Sequence, residues 1–217
     1  MIEKELTSGE KQVIYLISFV SLISFILILQ SLSNSWLSNF DTKINLSIPE
    51  IRNNFFIEIS KIIHYSFEPS IFIILFLVVI CFLFYKKRKL EAISLTILTI
   101  ITSIISQGIK ILVHRPRPLN SLITETDFSF PSGHALMALV FFGTLVYLFE
   151  HHIKSRSAKR ILIVLAALLV LLIGVSRLIL NVHWFSDVLG SFALGIFLLC
   201  IYVLITNKIS LFKKESS

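Results

Sequence analysis

Apolar residues in this chain gather into runs about long enough to cross a bilayer, separated by short polar or basic clusters. The runs extend from Gln12 to Gln30, Pro69 to Tyr85, Ala92 to Val113, His134 to Leu148, Ile161 to Leu180 and Phe185 to Thr206. The pattern predicts an all-α fold, a six-span transmembrane helical bundle. No repeat, low-complexity tract or Gly/Ser-rich linker interrupts it, so residues 1–217 read as a single integral membrane domain. The first run has full span length and no A-x-A cleavage signal, which predicts a retained helix rather than a leader.

The longest polar interval, Ser31 to Glu68, carries Ile51, Phe55, Phe56, Ile59, Ile62 and Ile63 at roughly helical spacing. Two readings fit this stripe: an interfacial helix on the outer leaflet beside a lipid entry path, or a short helix packed on the bundle. Glu68-Pro69 then opens the second span, proline being tolerated in a first helical turn.

Composition agrees with the pattern. Hydrophobic residues make up 55% of the chain and charged ones 15%, against roughly 25% charge in soluble proteins. The net charge of +7 does not point to nucleic acid, because the basic residues sit in short clusters between apolar runs, as juxtamembrane anchors do. Lys4 and Lys11, Lys86 to Lys89, Lys154 to Arg160, and Lys208 with Lys213 and Lys214 all fall on one side of a six-span layout. The excess of positive charge makes that side cytoplasmic, with both termini on it. Cys81 and Cys200 are isolated in apolar segments and read as small buried hydrophobes. His151 and His152 lie in a cytoplasmic loop, away from the groups discussed next.

Three stretches carry ionisable or phosphate-binding groups at the opposite face. Lys110-Ile111-Leu112-Val113-His114-Arg115-Pro116-Arg117-Pro118 ends the third span, and its prolines favour an extended backbone. Arg115 there fits either an anion or snorkelling to lipid headgroups; Lys110, about two turns inside the span, must reach the interface or an anion. Phe130-Pro131-Ser132-Gly133-His134 opens the fourth span. Ser132 and Gly133 can form an anion cradle at a helix N-terminus or an ordinary cap. The third stretch, Ser176 to Asp187, joins the fifth span to the sixth and places Arg177, His183 and Asp187 between apolar runs, where charge is expensive.

In one helix, the i, i+4 spacing of His183 and Asp187 lets the carboxylate hold one imidazole nitrogen and leave the other as a nucleophile. The same pair could instead only stabilise a helix start. A metal site is disfavoured by the scarcity of other ligand types and by the neighbouring cations, so neither metal nor other cofactor is expected. Span parity puts all three stretches on the external face, where they can share one pocket.

Together these stretches resemble the three-part signature of the type 2 phosphatidic acid phosphatases: Lys110 with six residues to Arg117-Pro118, then Pro131-Ser132-Gly133-His134, then Ser176-Arg177 with five residues to His183 and three more to Asp187. The resemblance implies a metal-independent membrane lipid phosphatase. It implies that His183 attacks phosphorus and becomes a phosphohistidine, that Asp187 fixes its tautomer, and that His134 protonates the leaving oxygen. Lys110, Arg117, Ser132, the Gly133 N–H and Arg177 would hold the phosphate oxygens, with Arg115 and Ser176 as additional candidates.

Fixed cations suit a phosphoryl transition state, in which charge spreads over the equatorial oxygens. The resemblance implies a bilayer lipid phosphate as substrate: undecaprenyl pyrophosphate, phosphatidylglycerophosphate or phosphatidic acid, with Arg115 available to a second phosphate. The competing reading is a lipid or anion transporter or scramblase that uses the basic cluster for binding alone. Such a protein would not need a histidine–carboxylate pair and a second histidine.

Overall fold

The computed structural model describes residues 6–215, and its regular structure there is wholly helical. The helices are α1 (Ser8–Ser31), α2 (Ser35–Ile51), α3 (Asn54–Ser66), α4 (Pro69–Tyr85), α5 (Lys89–Val113), α6 (Gly133–Phe149), α7 (Arg156–Ile179) and α8 (Phe185–Glu215), with a 3-10 turn over Glu150–His152. Each apolar run forms a helix. Boundaries differ chiefly where charged residues extend a helix beyond its apolar part: α7 begins at Arg156 rather than Ile161, and α8 continues past Thr206. Lys4 lies outside the described residues.

Four helices, α1, α5, α7 and α8, are long and apolar enough to cross a membrane, and α3 with α4 makes a fifth if that pair, bent by 58°, counts as one span. The sequence predicts six spans. The difference lies in α4, which counts only together with α3, and in α6: each has 17 residues, about 25 Å of helix against a hydrocarbon core of about 30 Å. α6 is the central helix, packed against α5, α7 and α8, so protein rather than lipid covers much of it.

Lipid-like surface lies on the outer helices. Leu165, Leu168 and Leu172 of α7 are exposed, while Ile173, Gly174 and Arg177 are buried on its other face. A Cβ on Gly174 would come within 2.6 Å of the Phe192 ring, so glycine here permits the close approach of α7 to α8. Gly190 does the same for Phe130, whose ring also stacks on Phe25 at 5.9 Å. That packing anchors the turn leading into Ser132.

The first long loop contains two helices rather than one stripe. Their break falls at Arg52 and Asn53, where the Asn53 side chain accepts from the Phe56 N–H and caps α3. The side chain of Ile51 lies outside the described residues. On α3 the polar Ser60 and His64 turn inward, and Phe55, Phe56, Ile59 and Ile62 are exposed. α3 packs on α7, and α2 lies against α7 and α8 with Ile48 in a cluster with Ala135, Leu178 and Val188.

Candidate active site

The segment after α5 brings the three stretches together. His114 adopts a left-handed conformation (φ 51°) and turns the chain out of the helix. The loop then folds back on itself, as the Ser129 N–H donates to the Arg115 carbonyl and the Ser129 hydroxyl to the Pro116 carbonyl. It is joined to the α7–α8 corner by bonds from Trp184 Nε1 to the Pro116 carbonyl, from the Leu122 N–H to the Leu180 carbonyl and from Asn181 Nδ2 to the Leu119 carbonyl. All of these are satisfied backbone carbonyls, so the loop has a defined path over the bundle.

Below that loop is a cavity of about 560 Å³ bounded by α3, α4, α5 and α6. Lys110, Arg117, Gly133, His134 and His183 line its polar end, together with His64. Further along, α5 offers Thr99, Ser103, Ser106 and Gln107, and Phe72, Phe76 and Met137 form apolar wall. Such a cavity accommodates a polar head and part of an apolar tail.

His183 is 1% exposed. Its Nδ1 lies 3.4 Å from Asp187 Oδ2, and its Nε2 lies 3.2 Å from Arg117 Nη1 at the cavity. Burial pushes the imidazole below its ordinary titration range; Asp187 opposes this shift, while Arg117 and Lys110 add to it. Burial thus favours the neutral ring. Asp187, at the third position of α8, also accepts from the Trp184 N–H at 2.9 Å, which is half of a capping box.

Lys110 and Arg117 converge on Asp127, a residue of the connecting loop that sequence reasoning passed over. Lys110 Nζ reaches its carboxylate at 2.5 Å, and Arg117 also pairs with it through Nη2. Burial by itself would raise the Asp127 carboxyl, but hydrogen bonds and charge from Lys110 and Arg117 hold it below the usual carboxylate range. A carboxylate thus occupies the cation pair proposed for phosphate. Its acidic character was visible in the sequence, but nothing there placed it against residues 10 and 17 positions away.

Other expected residues stand at or behind the cavity wall. Gly133 and His134 line it, and His134 Nε2 and Ser132 Oγ are buried without a hydrogen-bond partner. Arg177 is fully buried: Nη1 lies 2.8 Å from His64 Nδ1, while Nε and Nη2 donate to Ser176 Oγ at 3.3 and 3.2 Å. Ser176 therefore holds Arg177. Arg115, expected as a further phosphate cation, points away from the cavity: its guanidinium meets Asp41, Ser186 and Asp187. Two buried carboxylates outcompete the solvent-facing site for it.

Among the described residues, His64, Glu125 and His134 bring one ligand atom each within 4.8 Å of one another, a spacing that could suit a metal. The surroundings do not. Arg177 Nη1 lies 2.8 Å from His64 Nδ1, and Arg117 Nη2 lies 3.7 Å from Glu125. Fixed cations facing the cluster suit an anion instead.

The sequence profile of the PAP2 superfamily matches residues 91–210, which hold all three stretches. The chain belongs to the PAP2 superfamily. It is 27% identical over 199 residues to phosphatidylglycerophosphatase B of Bacillus subtilis, covering 90% of this chain and 98% of that one. It is 28% identical over 120 residues to an undecaprenyl-diphosphatase of Sulfolobus acidocaldarius, 52% of this chain and 54% of the relative. In fold, this PAP2 protein resembles the crystal structure of the transmembrane PAP2-type phosphatidylglycerolphosphate phosphatase of Bacillus subtilis, with a TM-score of 0.83 at 24% identity over 88% of this chain and 96% of that one. Aquifex aeolicus LpxE gives 0.59 at 22% identity over 79% and 96%. This is a multi-pass membrane enzyme of the lipid phosphatase class.

Proposed function

We propose that this PAP2 protein hydrolyses the phosphomonoester or pyrophosphate of a membrane lipid at the external face, through a phosphohistidine and without a metal ion, on a six-span scaffold. The observation that carries the proposal is the setting of His183. One ring nitrogen faces Asp187 and the other faces the cavity beside Arg117.

The substrate phosphate takes the place of the Asp127 carboxylate between Lys110 and Arg117. Arg grips two oxygens, Lys acts as a point charge, and the Gly133 N–H with Ser132 and Arg177 completes the cradle at the start of α6. His183 Nε2 attacks phosphorus, the N–P bond forms, and the P–O bond to the lipid breaks as His134 gives its proton to the leaving oxygen. A water molecule, deprotonated by His134, then attacks the phosphohistidine. The N–P bond breaks, and orthophosphate leaves with the ring restored. Asp187 keeps the Nδ1 proton in place through both steps.

We favour a glycerolipid phosphate, the substrate type named for phosphatidylglycerophosphatase B, over an isoprenoid. Buried hydroxyls without partners, Thr99 Oγ1 and Ser106 Oγ, line the cavity along α5 and are available to ester oxygens. An undecaprenyl pyrophosphate is the second reading, supported by the Sulfolobus acidocaldarius relative. The basic loops argue for cytoplasmic termini and an external site. On α3, the outward Phe55, Phe56 and Ile62 suit an interfacial helix.

The test is phosphate release by purified protein in excess chelator against a panel of lipid phosphates and pyrophosphates. His183→Ala should lose activity by on the order of 10⁴-fold or more, and about as much as removing His183 and Asp187 together. Acid-labile phosphate should be trapped on the wild type during turnover. Binding without turnover would support a transporter, and near-wild-type turnover by His183→Ala would end the phosphohistidine mechanism.

A further inference from the structure

Behind Asp187, on the side away from the cavity, lies a charge cluster that the reaction outlined above does not use. Asp41 of α2 and Asp187 of α8 have fully buried side chains, and Arg115 lies between them. Arg115 Nη1 donates to Asp187 Oδ1 at 2.5 Å and to Ser186 Oγ at 2.8 Å, and Nη2 donates to Asp41 Oδ2 at 2.6 Å. Asp41 also accepts from the Ser186 N–H at 2.9 Å and from the Ser186 hydroxyl at 2.5 Å. It thereby satisfies a free N–H of the first turn of α8 from a different helix. The Trp184 ring lies 5.6 Å from the guanidinium.

We propose that Arg115 and Asp41 are positioning residues for the histidine nucleophile: they fix the Asp187 carboxylate against His183 and do not bind phosphate. The proposal rests on the phosphatase reading. Asp187 offers one oxygen to Arg115 and the other to the Trp184 N–H and His183, so each carboxylate oxygen has a defined direction. Without the guanidinium, two buried carboxylates would face each other with no cation between them. Their repulsion would turn Asp187 out of line with Nδ1–H, and the tautomer that exposes Nε2 as the nucleophile is lost. Without Asp41, Arg115 loses the partner that holds it behind Asp187 and can turn toward other anions. The helix that carries Asp41 lies outside the three signature stretches, so the first long loop contributes directly to the order of the catalytic unit.

A KM and kcat comparison of Arg115→Gln, Asp41→Asn and the double variant tests this. Arg115→Gln should lower kcat by about 10- to 100-fold, the range seen when a group orienting an imidazole is removed. KM for the lipid phosphate should stay within about twofold, since uniform binding is untouched. Asp41→Asn retains the shape of the side chain and an acceptor for the Ser186 N–H, so it reports on charge even if Arg115→Gln folds poorly. It should lower kcat by less than Arg115→Gln does. Members of one unit are not additive, so the double variant should be about as slow as Arg115→Gln alone. A KM rise with kcat intact in Arg115→Gln would make Arg115 a phosphate ligand and overturn the proposal. Unchanged kcat in Asp41→Asn, or losses that multiply in the double variant, would overturn it too. An inactive wild type would sink the phosphatase reading and this one with it, whereas an active wild type with unaffected variants would sink this one alone.

Discussion

Arg115 and Arg117 stand two residues apart and carry the same guanidinium, yet they lie at opposite ends of the His183–Asp187 pair. Arg117 meets His183 at Nε2, on the cavity side; Arg115 meets Asp187, which faces Nδ1. A regular strand would have put both on one face, but residues 114–118 form no strand. Their partners differ even more. Arg117 pairs with Asp127, whose side chain is 40% exposed in a loop, while Arg115 pairs with two carboxylates that are 0% exposed. A cation whose partner is an exposed loop carboxylate can exchange it for an incoming phosphate. A cation locked between buried acids cannot, and it acts on the site through what it holds.

The comparison is sharpened first by activity. Arg117→Gln should cost on the order of 10²- to 10³-fold in kcat/KM, as for loss of one transition-state donor, with KM rising as well. That KM rise separates it from Arg115→Gln, and its absence would blur the division between the two arginines. Stability should reverse the ranking. Arg115→Ala leaves two buried carboxylates without their cation and should cost about 3–5 kcal/mol in denaturant or thermal unfolding. Arg117→Ala breaks a partly exposed pair and should cost less than about 1 kcal/mol. Equal losses in the two variants would break the comparison.

The smallest effects belong to Asp127. If its carboxylate competes with substrate, Asp127→Asn should lower KM about 1.4- to fivefold, the equivalent of the 0.2–1 kcal/mol of an exposed ion pair. The pH profile gives an independent reading. In the proposed mechanism His183 must be neutral to attack, and burial pushes its titration below the ordinary value of 6.5, so the acid limb of kcat/KM should lie below pH 6.5. Removing the Asp127 charge leaves Lys110 and Arg117 less compensated, so the limb should move to still lower pH in Asp127→Asn. A shift to higher pH would show that Asp127 does not screen those cations.

Much of this molecule was legible because membranes and phosphate chemistry leave strong local marks. Helices were readable from apolar run length, since a backbone in lipid must satisfy its hydrogen bonds within itself. His183 and Asp187 were readable as a pair from one helical turn of spacing, and Lys110, Arg117 and His134 line one cavity with His183. Asp127 and Asp41 were not readable. Each is an acid in a polar loop or an amphipathic helix, where a solvated carboxylate is the ordinary expectation. What makes them different is the cation each meets across 17 or 74 positions of chain.

The stripe in the first loop shows the same limit. Its helical period was correct in α3, but the buried face is the polar one carrying Ser60 and His64, because Arg177 needs a partner there. The sequence by itself determined the helical class, the helix order, the family signature and the pairing of His183 with Asp187. These depend on composition and on contacts within a few residues. Tertiary structure alone decided that Arg115 turns away from the cavity, which acids hold the cations, and that α2 reaches α8. Those outcomes depend on how buried charges compete for partners over long sequence separations, and no local pattern ranks the competitors.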